Sequence, residues 1–240
     1  LAGGASISER VDGKTVFRIL SRSLRVDWRD YVVLVADRLD GNPFAVLAAI
    51  ILSQNTSSRS SIRAYHSLRM LLGRVTPEAV LSVPEEKLGE AIRAAGLWRQ
   101  KARALREAAR RILEAGGERV LMEMPPEKLR EFLLSIPGVG KKTADVFLSF
   151  KRRAPVFAVD THALRIAKRW GLVGEKAGYD EASRALLEFF GPERSEEAHR
   201  LLIALGRQYC RARGPRCSEC PLRGYCPYPR RAGGEARAGG

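Results

Sequence analysis

Cysteine and side-chain amides are both scarce in this 240-residue chain. Its four cysteines, Cys210, Cys217, Cys220 and Cys226, fall within 17 residues near the C-terminal end, so none is left elsewhere to staple a disulfide scaffold. Asn and Gln together number five, two of them adjacent at Gln54 and Asn55. No run reaches the roughly 18 apolar residues that a membrane helix requires. Residues 1–20 are interrupted by Glu9, Arg10, Asp12, Lys14 and Arg18, which reads against a secretory leader. No alternating strand pattern and no hairpin pair is present; the best strand candidate, 156–159, is short enough to be an extended lead-in. These absences predict a soluble, cytoplasmic, all-α protein with no membrane partner.

Acidic residues are also in deficit. Asp and Glu total 27 against 42 Lys and Arg, a net charge of +15. Such a balance favours a polyanionic partner, nucleic acid first among them. The competing explanation is a charge-rich, heat-adapted composition. Lysine supplies only nine of the basic residues, and two of those nine are adjacent at Lys141 and Lys142, so that pair stands out. The hydrophobic content of 45% is ample for a core, in one large domain or two small ones.

Helix starts share one grammar. Asn42-Pro43, Thr76-Pro77-Glu78, Val83-Pro84-Glu85-Glu86 and Pro125-Pro126-Glu127 each set proline at or near a first turn, three of them with acids after it. The helix over 44–52 is apolar nearly all round and is predicted to be central. Helical periodicity also covers most of 14–40 and all of 98–115, with stops at Gly73, Gly96 and Gly116-Gly117. The ends, 1–13 and 228–240, read as flexible tails.

The string Ile136-Pro137-Gly138-Val139-Gly140-Lys141-Lys142-Thr143-Ala144 predicts a helix, a tight turn and a second helix over about 131–150. Glycines let a backbone approach a partner closely, and amides opening a helix suit a phosphate. This is how a helix-hairpin-helix grips DNA without reading its sequence. Lys142 falls in the first turn of the second helix. The helix dipole and Lys141 both oppose charge there, which favours the nucleophilic free amine. An amine attacking C1′ of a deoxyribose displaces the base and leaves a Schiff base, from which β-elimination cuts the strand. Lys141 and Lys142 serve equally well as simple phosphate contacts on this motif alone. Asp160, in Val159-Asp160-Thr161-His162, reads as a helix N-cap and also as the carboxylate such chemistry needs for proton handling.

The cysteines read C-x6-C-x2-C-x5-C, a metal site in a reducing compartment. Tetrahedral zinc and an iron–sulfur cluster are the two candidates; zinc ribbons pair two C-x2-C knuckles and this chain has one. Arg211, Arg213 and Arg216 lie between the first two cysteines, as a phosphate clamp or as plain surface charge.

Taken with Pro43-Phe44, Ile51-Leu52-Ser53-Gln54-Asn55-Thr56, Gly96-Leu97-Trp98 and Lys101-Ala102, these blocks resemble, from about 42 to 226, the endonuclease III family. These are helix-hairpin-helix DNA glycosylases with an iron–sulfur cluster. The resemblance implies a helical barrel domain over 35–154 and a discontinuous cluster domain of 14–34 plus 155–227, with damaged double-stranded DNA bound in the cleft between them by a monomer, nucleoid-associated if the source is prokaryotic. It implies Lys142 as Schiff-base nucleophile, Asp160 as second catalytic residue, and a [4Fe–4S] cluster on the four cysteines. It implies DNA contacts at Gly138, Gly140, Lys141 and His162, and Gln54 and Leu97 filling the space a flipped nucleotide vacates. The implied activity is a bifunctional N-glycosylase and AP lyase for oxidised pyrimidines in base excision repair. A mismatch glycosylase for uracil or thymine opposite guanine and a non-catalytic DNA-binding protein are the rivals. Asn55 and Trp98 depart from the usual family residues, which leaves base preference open.

Overall fold

The computed structural model describes residues 6–229. The far ends of both expected tails, 1–5 and 230–240, lie outside the described residues. From Ser6 onward the chain is packed: a 3-10 turn, Ile7–Glu9, is closed by reciprocal bonds between Ser6 and Glu9, and Ile7 is fully buried. The described residues contain helices and connections, and no strand among them. None of the described helices is long and apolar enough to cross a membrane.

The chain divides into two compact units, one from Asp27 to Arg152 and one joining the residues up to Val26 with those from Arg153 onward. Helix α1 (Gly13–Ser23) belongs to the second of these and is capped by Asp12, which accepts the Thr15 amide at 2.8 Å. A Cβ on Gly13 would run into the backbone carbonyl of Phe189, so glycine is what lets this helix start against its neighbour. The helical pattern expected over 14–40 is broken at 24–27, and resumes with α2 (Val32–Leu39) in the other unit.

The continuous unit is built around α3 (Pro43–Ser53). Asn42 caps it by accepting the Ala45 amide at 2.7 Å, and its own amide group reaches the Val75 carbonyl. Every residue from Phe44 to Leu52 is buried. A helix with no polar face can only be a core helix, and each Leu or Ile buried this way contributes about 1.5–3 kcal/mol. Around it lie α4 (Ser58–Leu72), α5 (Pro77–Ser82), α6 (Glu85–Ala91), α7 (Trp98–Glu114), α8 (Val120–Glu123), α9 (Pro126–Ser135) and α10 (Lys141–Arg152). Of these α4, α7, α8 and α10 touch α3 directly, as does α2.

The second unit packs α1 with α11 (Thr161–Trp170), α12 (Tyr179–Phe190) and α13 (Ser195–Gln208). Its core holds Trp170, Phe157, Phe190, Leu186 and Leu202, and the cysteine segment lies against the same core. The stretch 156–159 is neither helix nor strand and leads into α11.

Candidate functional site

The hairpin forms as its residues demand. Helix α9 stops at Ser135, Val139 donates its amide to the Ile136 carbonyl at 3.0 Å, and α10 opens at Lys141. Gly138 has φ +87°, and a Cβ there would lie 2.7 Å from that of Ala104, so both backbone and space require glycine. Gly140 differs: its φ is not positive and a Cβ would meet nothing within 4 Å. Gly140 is thus open to the outside, as Gly174, Gly178 and Gly224 also are. Gly140 also precedes α10 without a side chain to receive the first-turn amides, the arrangement that suits a phosphate.

Lys141 and Lys142 are both exposed, while Thr143, Ala144 and Asp145 directly after them are buried. Asp145 receives a two-pronged contact from Arg130 of α9, at 2.7 and 3.2 Å, which ties the two hairpin helices one turn beyond Lys142. Gln54 folds back onto the hairpin. Its Nε2 donates to the Gly138 carbonyl at 2.9 Å and to Thr143 Oγ1 at 3.0 Å. Leu97, which alone would read as a core leucine, is 54% exposed and sits in the left-handed region at φ +45°. Asn55 is left-handed too, at φ +49°. Asparagine takes up such backbone readily, but at Leu97 it costs about 1–2 kcal/mol, so neighbouring structure must hold it there.

Lys101 is the residue whose role the sequence reading missed. It is 3% exposed, and its Nζ donates to the carbonyls of Leu52 at 2.9 Å and Ala95 at 2.8 Å. Burial lowers its pKa to about 8. The signal was present: a lysine beside Ala102 and one turn from Leu105 falls on the apolar face of α7.

In the other unit Asp160 is half-buried and caps α11, its Oδ1 accepting the Ala163 amide at 2.8 Å. His162 lies over Gly206 of α13, where any Cβ would collide with its ring, and its Nδ1 is 2.9 Å from Arg165. Helix α11 is bolted to the cysteine segment by two arginines one turn apart. Arg165 donates twice to the Cys210 carbonyl, at 3.0 and 2.9 Å. Arg169 donates to Cys210 Sγ at 3.2 Å and to the Arg211 carbonyl at 2.7 Å, and lies over the Tyr228 ring at 4.3 Å. Asp160 therefore heads the helix that the cysteine segment is fastened to. The sequence spacing of 165 and 169 is the helical one, but their targets lie over 40 residues on.

All four cysteines are half-buried and line one pocket with Trp170, Leu205, Tyr209 and Tyr228. Burial, then the Cys210 thiol, raises the pKa of Cys217, and burial pushes Cys220 and Cys226 up to about 11. These thiols stay protonated until a metal cation displaces their protons. Four thiols lining one pocket are the donor set that either a tetrahedral zinc or an iron–sulfur cluster takes. All three loop arginines are exposed, and Arg216 is paired with Glu219, its Nε donating at 2.8 Å. The expected trio is thus unequal, because Glu219 cancels one charge.

Residues 48–192 match the family described as HhH-GPD superfamily base excision DNA repair protein. An endonuclease III of Sulfolobus acidocaldarius is 34% identical over 209 residues, spanning 87% of this chain and 92% of that protein. Among solved structures, a non-covalent endonuclease III–DNA complex superposes with a TM-score of 0.76 at 26% identity, covering 95% of this chain and 98% of that one. A trapped endonuclease III–DNA covalent intermediate does so at 0.69 and 28%, covering 87% and 99%.

Proposed function

This chain belongs to the endonuclease III family of the HhH-GPD base excision DNA repair proteins, DNA glycosylases and AP lyases, and from that footing we propose that it removes oxidised pyrimidines from double-stranded DNA through Lys142. The observation that carries the proposal is an exposed lysine in the first turn of α10, directly behind the turn that Gly138 makes at φ +87°. In this reading the Lys142 amine attacks C1′ as the base leaves with a proton. The sugar ring opens to an imine, the C2′ proton becomes acidic, and the 3′ phosphate departs by β-elimination. Asp160 handles the proton at the amine and stabilises positive charge on the sugar. Gly138, Gly140 and Lys141 hold phosphates, as do Arg211 and Arg213, with His162 towards the base. The protein acts as a monomer.

Cys210, Cys217, Cys220 and Cys226 would hold a [4Fe–4S] cluster. Bound, it supplies four covalent ties that fix the arginine-bearing loop. The purified protein is expected to be yellow-brown with about four irons per chain, and Cys220→Ser to lose most of the iron. A colourless protein prepared without air and carrying zinc in place of iron would remove the cluster assignment.

The substrate is tested on duplexes bearing thymine glycol, dihydrouracil, uracil opposite guanine or thymine opposite guanine, with strand cleavage scored under single turnover. Cleavage at the oxidised pyrimidines is expected to exceed that at either mismatch by about 10-fold or more, as a pocket contact difference of about 1–3 kcal/mol gives. Preference for a mismatch would transfer the chain to the mismatch-excising class.

A further inference from the structure

The buried amine of Lys101 is not part of the chemistry just described, yet it meets the two segments that carry Gln54 and Leu97. Its two acceptors are placed alike. Leu52 lies two residues before Gln54, and Ala95 lies two residues before Leu97. Leu52 is in the last turn of α3, whose final carbonyls have no helical partner, and Ala95 ends the 3-10 turn Arg93–Ala95. One ammonium therefore closes both ends and fixes the distance between them. Each segment then runs into a left-handed residue, Asn55 on one and Leu97 on the other. At Leu97, backbone of this kind persists only where its surroundings over-determine it. The cost of holding a cation at 3% exposure is several kcal/mol before its hydrogen bonds offset it. An apolar residue at 101 would close the core of α7 without that cost, so the amine serves something besides packing.

We infer that Lys101 is a positioning residue for base extrusion: it sets the register of the Gln54 and Leu97 segments so that both side chains enter the duplex together. This rests on the reading of those two residues as fillers of the vacated space. Gln54 itself is parked on the Gly138 carbonyl and Thr143, contacts it gives up on entering the duplex, whereas the two Lys101 contacts are to backbone and hold both segments throughout.

The test separates extrusion from chemistry. Single-turnover cleavage is measured at an abasic site within a duplex, where the nucleotide must be drawn out, and at the same site in a single-stranded oligonucleotide, where it need not. Lys101→Met is expected to slow the duplex reaction between about 10- and 100-fold, the range a misplacement near 1 Å produces, and to slow the single-strand reaction at least about 10-fold less. The fluorescence change of 2-aminopurine opposite the abasic site should shrink in parallel. Lys101→Arg keeps charge and donors but cannot set one nitrogen between both carbonyls; it is read where the methionine variant fails to fold, and should show the same selective loss at smaller size. Leu97→Ala and Gln54→Ala are measured beside them. If these lower the duplex reaction selectively and both Lys101 variants slow the two substrates equally, or neither, Lys101 is a structural cap and the inference is wrong. If Leu97→Ala and Gln54→Ala show no selective loss either, the reading of those residues as void fillers fails, and the inference with it.

Discussion

Lys142→Gln is expected to lower strand cleavage at an abasic site by at least about 1,000-fold while the same duplex still binds. Removing a covalent nucleophile costs far more than removing a contact, because no other group forms the intermediate. Binding should survive because Lys142 is exposed at the head of α10 and the hairpin that precedes it is held by other contacts: the Val139 amide on the Ile136 carbonyl, and Arg130 on Asp145. Lys141→Gln is the control. Its side chain leaves the helix about 100° from that of Lys142, so it should lose affinity and keep cleavage. Cleavage rates and filter or anisotropy binding on one abasic duplex decide it. Equal losses in the two variants would make the pair plain phosphate contacts.

Asp160→Asn is expected to reduce turnover by about 100- to 10,000-fold with little change in stability. Asp160 does two things that can be pulled apart. As the cap of α11 it accepts the Ala163 amide at 2.8 Å, which asparagine does as well. The negative charge is lost, worth about 0.3–1 kcal/mol at a helix start. Asp160→Ala loses the cap too and should unfold about 0.5–2 kcal/mol more easily. Urea unfolding and single-turnover rates on both variants separate the roles. If Asp160→Asn turns over like the wild type, Asp160 is a cap and nothing more.

What could be read from sequence was what local chemistry decides. Asn42-Pro43 and Thr76-Pro77 announce α3 and α5 because a cap and a proline act within one turn, and Pro125-Pro126 announces α9 by proline alone. The apolar run 44–52 announces a central helix because no face of it could bear water. The all-helical fold class and the family were legible from ordered motifs of this local kind. Tertiary placement was not. Lys101 carries a family-like dipeptide with Ala102, but only the fold shows that its amine lies between Leu52 and Ala95. Leu97 looks like core until its positive φ turns it outward. Arg165 and Arg169 look like solvent charge until the cysteine segment, over 40 residues later, returns to meet them. Arg216 looked like its neighbours Arg211 and Arg213, and Glu219 makes it different. In each case the deciding partner is set by the fold, or by a backbone angle that no local propensity favours.

The central claim is that one amine, on Lys142, becomes bonded to the sugar. The most direct measurement is borohydride trapping of the wild-type protein on an abasic-site duplex, followed by proteolysis and mass mapping of the peptide that carries the deoxyribose remnant. The account predicts a single adduct, on Lys142, that disappears in Lys142→Gln and remains in Lys141→Gln. An adduct on any other amine, an adduct that survives Lys142→Gln, or none from the wild type on any abasic duplex would contradict it.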